Sequence, residues 1–260
     1  MARIFSISFL LLAVTAAASV ASASPVAPAL VDVQVVDDLG RAFPVYPVKD
    51  GERVRRAYVE AVRDRKYRIR VVNRSPERVG LVIAVDGRNI ISGERSNLKR
   101  NERMYVLNPY GRAEYGGWRT DQSNIHRFFF TDAGESYSAA FGDYSAMGVI
   151  AVAVYREVAP KPVAQRKRME SSSNAPAGRA AGEDASGMAA DQAGTGFGDR
   201  EHSPSVRVEF KPKRRAMIRH FYKYEWRERL CDRGVVHCER DNRFWPDDVD
   251  YAPYPPGYLR

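Results

Sequence analysis

The sequence predicts a mainly β protein, folded as an antiparallel β-sandwich or a partly closed barrel. Six or seven short apolar or alternating segments, each ended by a turn, follow one another between residues 31 and 155. No long amphipathic helix separates them, which argues against alternating strands and helices around a parallel sheet. A chain of 260 residues is also long enough to bury one sizeable core or two small ones.

The first predicted strands lie at residues 31–36 and 67–72, where apolar and polar side chains alternate. Residues 55–61 fit this period less clearly, because part of the segment also matches one face of a helix. Gly51 and the β-branched residues weaken the helical interpretation. We therefore predict an edge strand at 55–61.

Residues 79–85 form an almost continuous apolar run, which is typical of a central strand buried on both faces. Asp86 and Gly87 follow it directly, and this pair is a strong hairpin signal. The remaining predicted strands of this region are residues 104–107, 127–131 and 148–155.

A change in composition divides the rest of the chain. Residues 160–205 contain almost no large apolar side chains, so we predict a disordered linker there. It would join a β-sandwich domain at 24–159 to a small α+β region with a Pro/Tyr-rich tail at 206–260. The elements predicted in this last region are strands at 206–210 and 216–224 and a helix at 225–233. The sequence leaves open whether the region folds independently or adds a strand to the first sheet.

The first 23 residues have the pattern of a secretory signal peptide. Arg3 precedes an apolar run at residues 4–20, and small residues then predict cleavage between Ala23 and Ser24. The alternative is an uncleaved membrane anchor, but the run is short for a hydrocarbon core of about 30 Å. We therefore expect an exported protein, periplasmic or secreted, without a transmembrane segment after cleavage.

The chain carries a net charge of +9, from 41 Lys and Arg against 32 Asp and Glu. Most of the positive charge is arginine, whose side chain binds carboxylates and phosphates well. Residues 211–229 mix basic and aromatic side chains, as nucleic-acid binders do. Because export argues against that role, we expect no nucleic-acid partner, and the predicted partner is an unidentified envelope component or protein.

The two cysteines, Cys231 and Cys238, predict a disulfide in an oxidising compartment. A metal site with His237 and His220 is the alternative. Structural zinc sites usually separate paired cysteines by two to four residues, so this spacing favours the disulfide. We expect neither a metal ion nor an organic cofactor.

Five acid–base candidates lie where turns are expected, and turn aspartates commonly bond their own backbone. They are Asp86, His126, Asp132, Glu135 and Asp143. No Gly-x-Ser-x-Gly motif indicates a serine nucleophile. A hydrolase acting on envelope polymers through Asp132 and Asp143 is kept as an alternative to a non-enzymatic protein.

Aromatic and arginine residues cluster in the segment after residue 107. Arg112, Trp118 and Arg119 are the candidate partner-binding residues, because aromatic faces beside arginines suit sugar rings or an anionic polymer. The alternative is that these rings fill the rim of the sandwich.

Several short segments together resemble a family of uncharacterised exported bacterial proteins. They are VDGRNIISG at 85–93, GWR at 117–119, FFFTD at 128–132, GVI at 148–150, GTGFG at 194–198 and KYEWR at 223–227. The resemblance covers most of the mature chain and implies a bacterial source and an envelope or secreted location. It carries no activity, cofactor or catalytic residue. The resulting expectation is an exported, non-enzymatic binding or structural protein of the cell envelope.

Overall fold

The computed structural model describes residues 30–48, 51–158 and 192–238, which form two multi-stranded sheets arranged as a β-sandwich. This confirms the predicted fold class. In chain order the strands are β1 (Val31–Val36), β2 (Val45–Pro47), β3 (Val54–Ala61), β4 (Lys66–Asn73), β5 (Val79–Val85), β6 (Arg88–Asn89), β7 (Tyr105–Leu107), β8 (Arg112–Tyr115), β9 (Gly117–Arg119), β10 (Asn124–Asp132), β11 (Val149–Arg156), β12 (Ala193–Thr195), β13 (Arg200–His202) and β14 (Ile218–Trp226). One short helix, α1 (Arg227–Asp232), follows β14, and 3₁₀ turns occur at Ala133–Glu135 and Ala139–Phe141.

The first sheet is built on the order β1-β4-β10-β12, with β8 paired to β4 and with β9 and β13 paired to β10. The second sheet has the order β2-β3-β14-β11-β5-β6, and β7 pairs with β5. All pairs are antiparallel except β3 with β14, which run parallel over eight residue pairs. The long β10 joins four partners, because successive parts of its length face different neighbours.

The core lies between the sheets and consists mainly of the inward-facing residues of the longer strands. Val33, Ile69 and Phe128 point inward from the first sheet, and Leu81 and Val152 from the second. Strand β5 is buried along its whole length, as the sequence predicted. Its outer face is covered by a second apolar cluster that includes Leu98, Tyr155 and Ala216.

Residues 55–61 lie within β3, which confirms the predicted strand but corrects its place at a sheet edge. Strand β3 lies between β2 and β14, so both of its sides are paired. The helix predicted at 225–233 is present as the shorter α1, with Leu230 buried beneath it.

The C-terminal region is part of the sandwich. The predicted strand at 216–224 is β14, which lies between β3 and β11 in the second sheet. Residues 206–210 belong to no strand, contrary to the prediction, because the described part of the chain provides no partner strand for them.

The structure also moves the expected end of the linker. The sequence assigned residues 160–205 to it, but β12 and β13 both lie inside that range. Glycine allows this close fit, since a Cβ atom at Gly194 would lie 2.7 Å from the Cβ of Ser136. The signal peptide with its Ala23–Ser24 cleavage site, the linker up to residue 191 and the tail after residue 238 lie outside the described residues.

Candidate functional site

A fully buried carboxylate, that of Asp86, lies between the two sheets at the end of β5. Its Oδ1 accepts hydrogen bonds from the Tyr224 hydroxyl at 2.5 Å and from the Gly148 backbone N–H at 2.8 Å. Its Oδ2 accepts one from the Thr195 backbone N–H at 2.7 Å. Since Asp86 follows β5 of the second sheet and Thr195 belongs to β12 of the first, this carboxylate joins the sheets.

A chain of three hydroxyl groups leads away from this carboxylate. Thr195 Oγ1 lies 2.7 Å from the Tyr224 hydroxyl and 2.8 Å from the Tyr67 hydroxyl. An ionised carboxylate can only accept, so Tyr224 donates its proton to Asp86, Thr195 donates to Tyr224 and Tyr67 donates to Thr195. Such a chain polarises each bond in turn and holds all four side chains in one arrangement.

Burial is the main influence on the pKa of Asp86, and it raises that pKa because the charged form is poorly solvated. The hydrogen bonds from Tyr224, Thr195 and Gly148 act in the opposite direction. The outcome is a pKa raised from 3.8 to about 6. Burial also raises the pKa of the Tyr67 and Tyr224 hydroxyls well above 10, so both remain donors.

The segment that begins at Thr195 leads toward the surface and is also held by hydrogen bonds. The Thr195 carbonyl accepts from the Tyr137 backbone N–H at 2.9 Å, and the Gly196 carbonyl accepts from Trp118 Nε1 at 3.1 Å. A Cβ atom at Gly196 would lie 2.2 Å from the ring of Phe129, so any larger residue would have to displace this ring. The backbone of this segment is therefore held on both sides.

Four rings stack on one another and pass from the core to the surface. We call them the aromatic row: Trp118, Tyr137, Phe197 and His126. Successive ring centroids are 4.3, 5.4 and 4.0 Å apart, with interplanar angles of 29°, 17° and 14°. Trp118 is only 2% exposed, whereas Phe197 is 43% exposed. The row thus presents a solvent-facing ring on a rigid, buried base.

Phe141 lies beside the row and extends its exposed surface. Its ring contacts that of Tyr137 edge-on at 5.0 Å, and it is 56% exposed. The guanidinium of Arg88 lies over it at 4.3 Å from the ring centroid. Arg88 and the more exposed Arg95 both approach the buried carboxylate of Asp143, at 3.9 and 2.9 Å. Aromatic faces and two guanidinium groups are thus gathered on one surface.

All six segments that carry the family resemblance contribute to this end of the sandwich. The contributing residues are Asp86, Trp118, Phe129, Gly148, Thr195 and Tyr224.

No known protein family, characterised protein or solved structure matches this chain.

The structure places two of the three predicted partner-binding residues in packing contacts, which agrees with the alternative that these side chains fill the sandwich. Trp118 is buried between Tyr137 and Phe128, so its ring cannot contact a partner in this structure. Arg119 donates to the Tyr105 hydroxyl at 2.7 Å and to the Ser203 carbonyl at 2.9 Å, so it holds two loops together. Arg112 is exposed beside Glu114, and its role in binding remains a prediction.

The acid–base candidates other than Asp86 are dispersed. Asp132 pairs with Arg63, Glu135 accepts from the Thr131 hydroxyl at 3.2 Å, and His126 belongs to the aromatic row. Burial opposes ionisation of Asp143, but hydrogen bonds from Arg95 and Ser145 outweigh it and lower the pKa of Asp143 to about 2. Asp143 is therefore ionised, and its negative charge holds the Arg95 side chain in place.

Cys231 and Cys238 are joined in a disulfide, as predicted, with their Cα atoms 5.6 Å apart. Among the described residues, no group of three His, Cys, Asp or Glu side chains is arranged to hold a metal ion. None of the described helices is long and apolar enough to cross a membrane.

Sequence reasoning missed Tyr137, Phe141 and the exposed face of Phe197. The available signal was local, since Phe197 is a single aromatic residue between glycines, and Tyr137 and Phe141 stand in a loop of small polar residues. Aromatic side chains in such surroundings cannot be covered by their own chain neighbours. They must either pack on distant elements or face solvent, and here they do both.

Proposed function

We propose that this protein is an exported, non-enzymatic binding protein of the bacterial cell envelope. In this proposal, Phe197 and Phe141 contact an anionic envelope polymer that contains sugar rings. The observation that carries the proposal is the surface at the aromatic row and beside it, where the partly exposed rings of Phe197 and Phe141 reach solvent on a rigid base. Clustered exposed apolar rings in a folded protein are typical of interaction sites.

The chemistry of the surface supports this class of partner. The exposed parts of the Phe141 and Phe197 rings suit the apolar face of a sugar ring. Arg95 uses its Nε for Asp143 and has a side chain that is 60% exposed, which leaves its terminal nitrogens accessible for an anionic group. The net charge of +9 attracts anionic polymers over a longer range.

Two observations support the exported location. The sequence begins with the pattern of a cleaved signal peptide, and a disulfide between Cys231 and Cys238 is typical of oxidising compartments. A hydrolase is supported less well, because Asp132 and Asp143 both pair with arginines. The lowered pKa of Asp143 keeps its carboxylate charged and therefore unsuited to donating a proton.

Binding to isolated cell-wall sacculi tests the proposal. The full chain and the double variant Phe141→Ala/Phe197→Ala are mixed with sacculi, pelleted, and washed with increasing salt. We expect at least about tenfold weaker retention of the double variant, since truncation of exposed aromatic contact residues commonly removes much of the binding energy. Arg95→Gln should make the remaining binding less sensitive to salt.

Tyr110→Ala is the matched control, because Tyr110 is an aromatic residue that is 70% exposed in a turn away from the aromatic row. It should bind as the unaltered protein does. Unchanged retention of the double variant, or an equal loss in the control, would remove the aromatic row from the binding surface. Mass measurement of the exported product tests cleavage after Ala23 separately.

A further inference from the structure

The segment at residues 205–211 has the sequence of a strand but pairs with no strand of the described residues. Val206, Val208 and Phe210 alternate with the charged residues Arg207 and Glu209. From Val206 to Phe210, no backbone N–H donates to a described residue. Val206 is 83% exposed and Val208 is 52% exposed, so the described residues leave these side chains largely open to solvent.

Both ends of this segment are held in place. On the N-terminal side, Ser203 and Ser205 donate their backbone N–H groups to the carbonyls of Ser123 and Gln122 at 2.7 and 2.8 Å. On the C-terminal side, the Lys211 carbonyl accepts from the Val158 N–H at 2.8 Å. The Glu209 carbonyl accepts from Arg78 Nη2 at 3.3 Å. The segment is therefore presented at a fixed place on the surface, with a row of backbone N–H groups that have no acceptor among the described residues. Such a row is a template for pairing with another chain.

We propose that this segment pairs with the same segment of a second copy of the protein, forming an antiparallel strand pair centred on Val208. In that register, Val208 faces Val208 of the second copy and Val206 faces Phe210. On the other face, Arg207 lies opposite Glu209 of the second copy, and Glu209 lies opposite Arg207. Every apolar residue meets an apolar residue, and every charge meets its opposite.

The boundaries of the segment agree with this register. Pro204 and Pro212 stand at equal distances from Val208, and neither has a backbone N–H to donate. Pairing is thereby confined to residues 205–211. The ring of Phe210 already packs over Gly80 beneath the Arg78 guanidinium, which provides an apolar surface for Val206 of the second copy.

The self-complementary charges distinguish a second copy from other occupants. An unrelated strand needs no charge arrangement matched to this segment, whereas antiparallel self-pairing requires opposite charges at positions equally far from the centre. A single strand pair buries less than the roughly 1,200 Å² of a stable complex. Self-association should therefore be reversible and depend on protein concentration.

Sedimentation equilibrium of the full chain tests the proposal from micromolar concentration up to the solubility limit. Arg207→Glu and Glu209→Arg should each self-associate about tenfold more weakly, because each change places like charges opposite each other twice per dimer. The double variant R207E/E209R should recover the affinity of the unaltered protein. A mixture of the two single variants should form heterodimers, since all cross-strand charges are then complementary.

Arg100→Glu, which changes an exposed arginine elsewhere by the same charge, is the control and should associate as the unaltered protein does. Val208→Lys should abolish association, because two ammonium groups would face each other at the centre. A monomer at all concentrations would overturn the proposal. So would single variants that associate like the control, or a mixture that forms no heterodimer. Binding of this segment to a different protein, with no self-association, would identify another occupant.

Discussion

The backbone at Asp86 explains how one carboxylate reaches partners in both sheets. Asp86 has a φ of 48° and Gly87 one of 80°, the left-handed conformation of a tight hairpin turn between β5 and β6. The turn directs the Asp86 side chain inward, where three donors from β12, β14 and the residue before β11 converge on it. Asp86 therefore forms the turn with its backbone and connects the two sheets with its side chain.

Removal of one of these donors should lower stability measurably. Tyr224→Phe deletes the hydroxyl that donates to Asp86 and accepts from Thr195. We expect the free energy of unfolding to fall by about 1–3 kcal/mol, the cost of leaving buried polar groups unsatisfied. Urea unfolding measures the change, with Tyr110→Phe at an exposed position as the control. Equal stability of the two variants would contradict the role of the network.

The raised pKa of Asp86 also predicts how stability depends on pH. The folded protein holds a proton on Asp86 more tightly than the unfolded chain, since the pKa is about 6 in the first and near 3.8 in the second. The contribution of this group is fully present below pH 3.8 and is lost as the pH rises through 6.

Urea unfolding at a series of pH values measures this contribution against Asp86→Asn, which does not titrate there. As the pH falls from 7 to 5, the free energy of unfolding of the unaltered protein should rise relative to that of the variant. If the difference between the two free energies stays constant across this range, Asp86 has an ordinary pKa. Tyr224→Phe should move the transition to higher pH, because the lost hydrogen bond stabilises the charged form.

Sequence alone could predict the turn at Asp86 but not its partners. Asp and Gly in succession after an apolar run are a local signal, and the structure confirms the hairpin. The donors Gly148, Thr195 and Tyr224 lie 62, 109 and 138 residues further along the chain. No spacing rule relates such distant positions, and only the finished fold brings them together.

At the scale of elements, the longer strands were predictable, and of the strands of two to four residues only β7 was. Strands β1, β4, β5 and β11 have enough residues to show a period of two or a continuous apolar run. Strand β12 has three small residues, Ala193–Thr195, and carries no such signal. It forms because β10 and the turn at Ala133–Glu135 leave a narrow space that only small residues enter.

The pairing of β9 with β10 depends on another close approach. A Cβ atom at Gly117 would lie 2.2 Å from the backbone oxygen of His126, an atom that cannot move without breaking the pair. Gly117→Ala should therefore destabilise the protein by about 1–3 kcal/mol or more. Gly134→Ala has no atom within 4 Å of the added methyl group and is the control.

Thermal unfolding of the two glycine variants compares them directly. Gly134→Ala should unfold at the temperature of the unaltered protein or slightly above it, because alanine restricts the unfolded chain. If the unfolding temperature falls by a similar amount in both variants, the 2.2 Å approach at Gly117 is not what requires glycine in β9.

At the scale of the whole molecule, the second sheet depends on a strand from the C-terminal region. Strand β14 lies between β3 and β11, so its removal exposes two strand edges and the apolar core behind them. We expect a chain ending at residue 217 to be unfolded or aggregated. A chain ending at residue 238 keeps all of the described strands and the disulfide, and it serves as the comparison.

Circular dichroism and size-exclusion chromatography of the two shortened chains measure this dependence. A folded, monomeric chain ending at residue 217 would show that the sandwich forms without β14, a question that the sequence left open. The sequence could indicate β14 as a strand, since its aromatic residues alternate with charged ones. Its place between two distant strands has no local signal.

The position of β14 also determines when the protein can fold during its synthesis. The ribosome releases β3 and β11 long before the strand that must separate and pair with both of them. Until residue 226 has been synthesised, β3 and β11 each have an unpaired edge. Such an edge can pair with the wrong strand or with a neighbouring chain. The second sheet can therefore close only when nearly all of the described chain has been made.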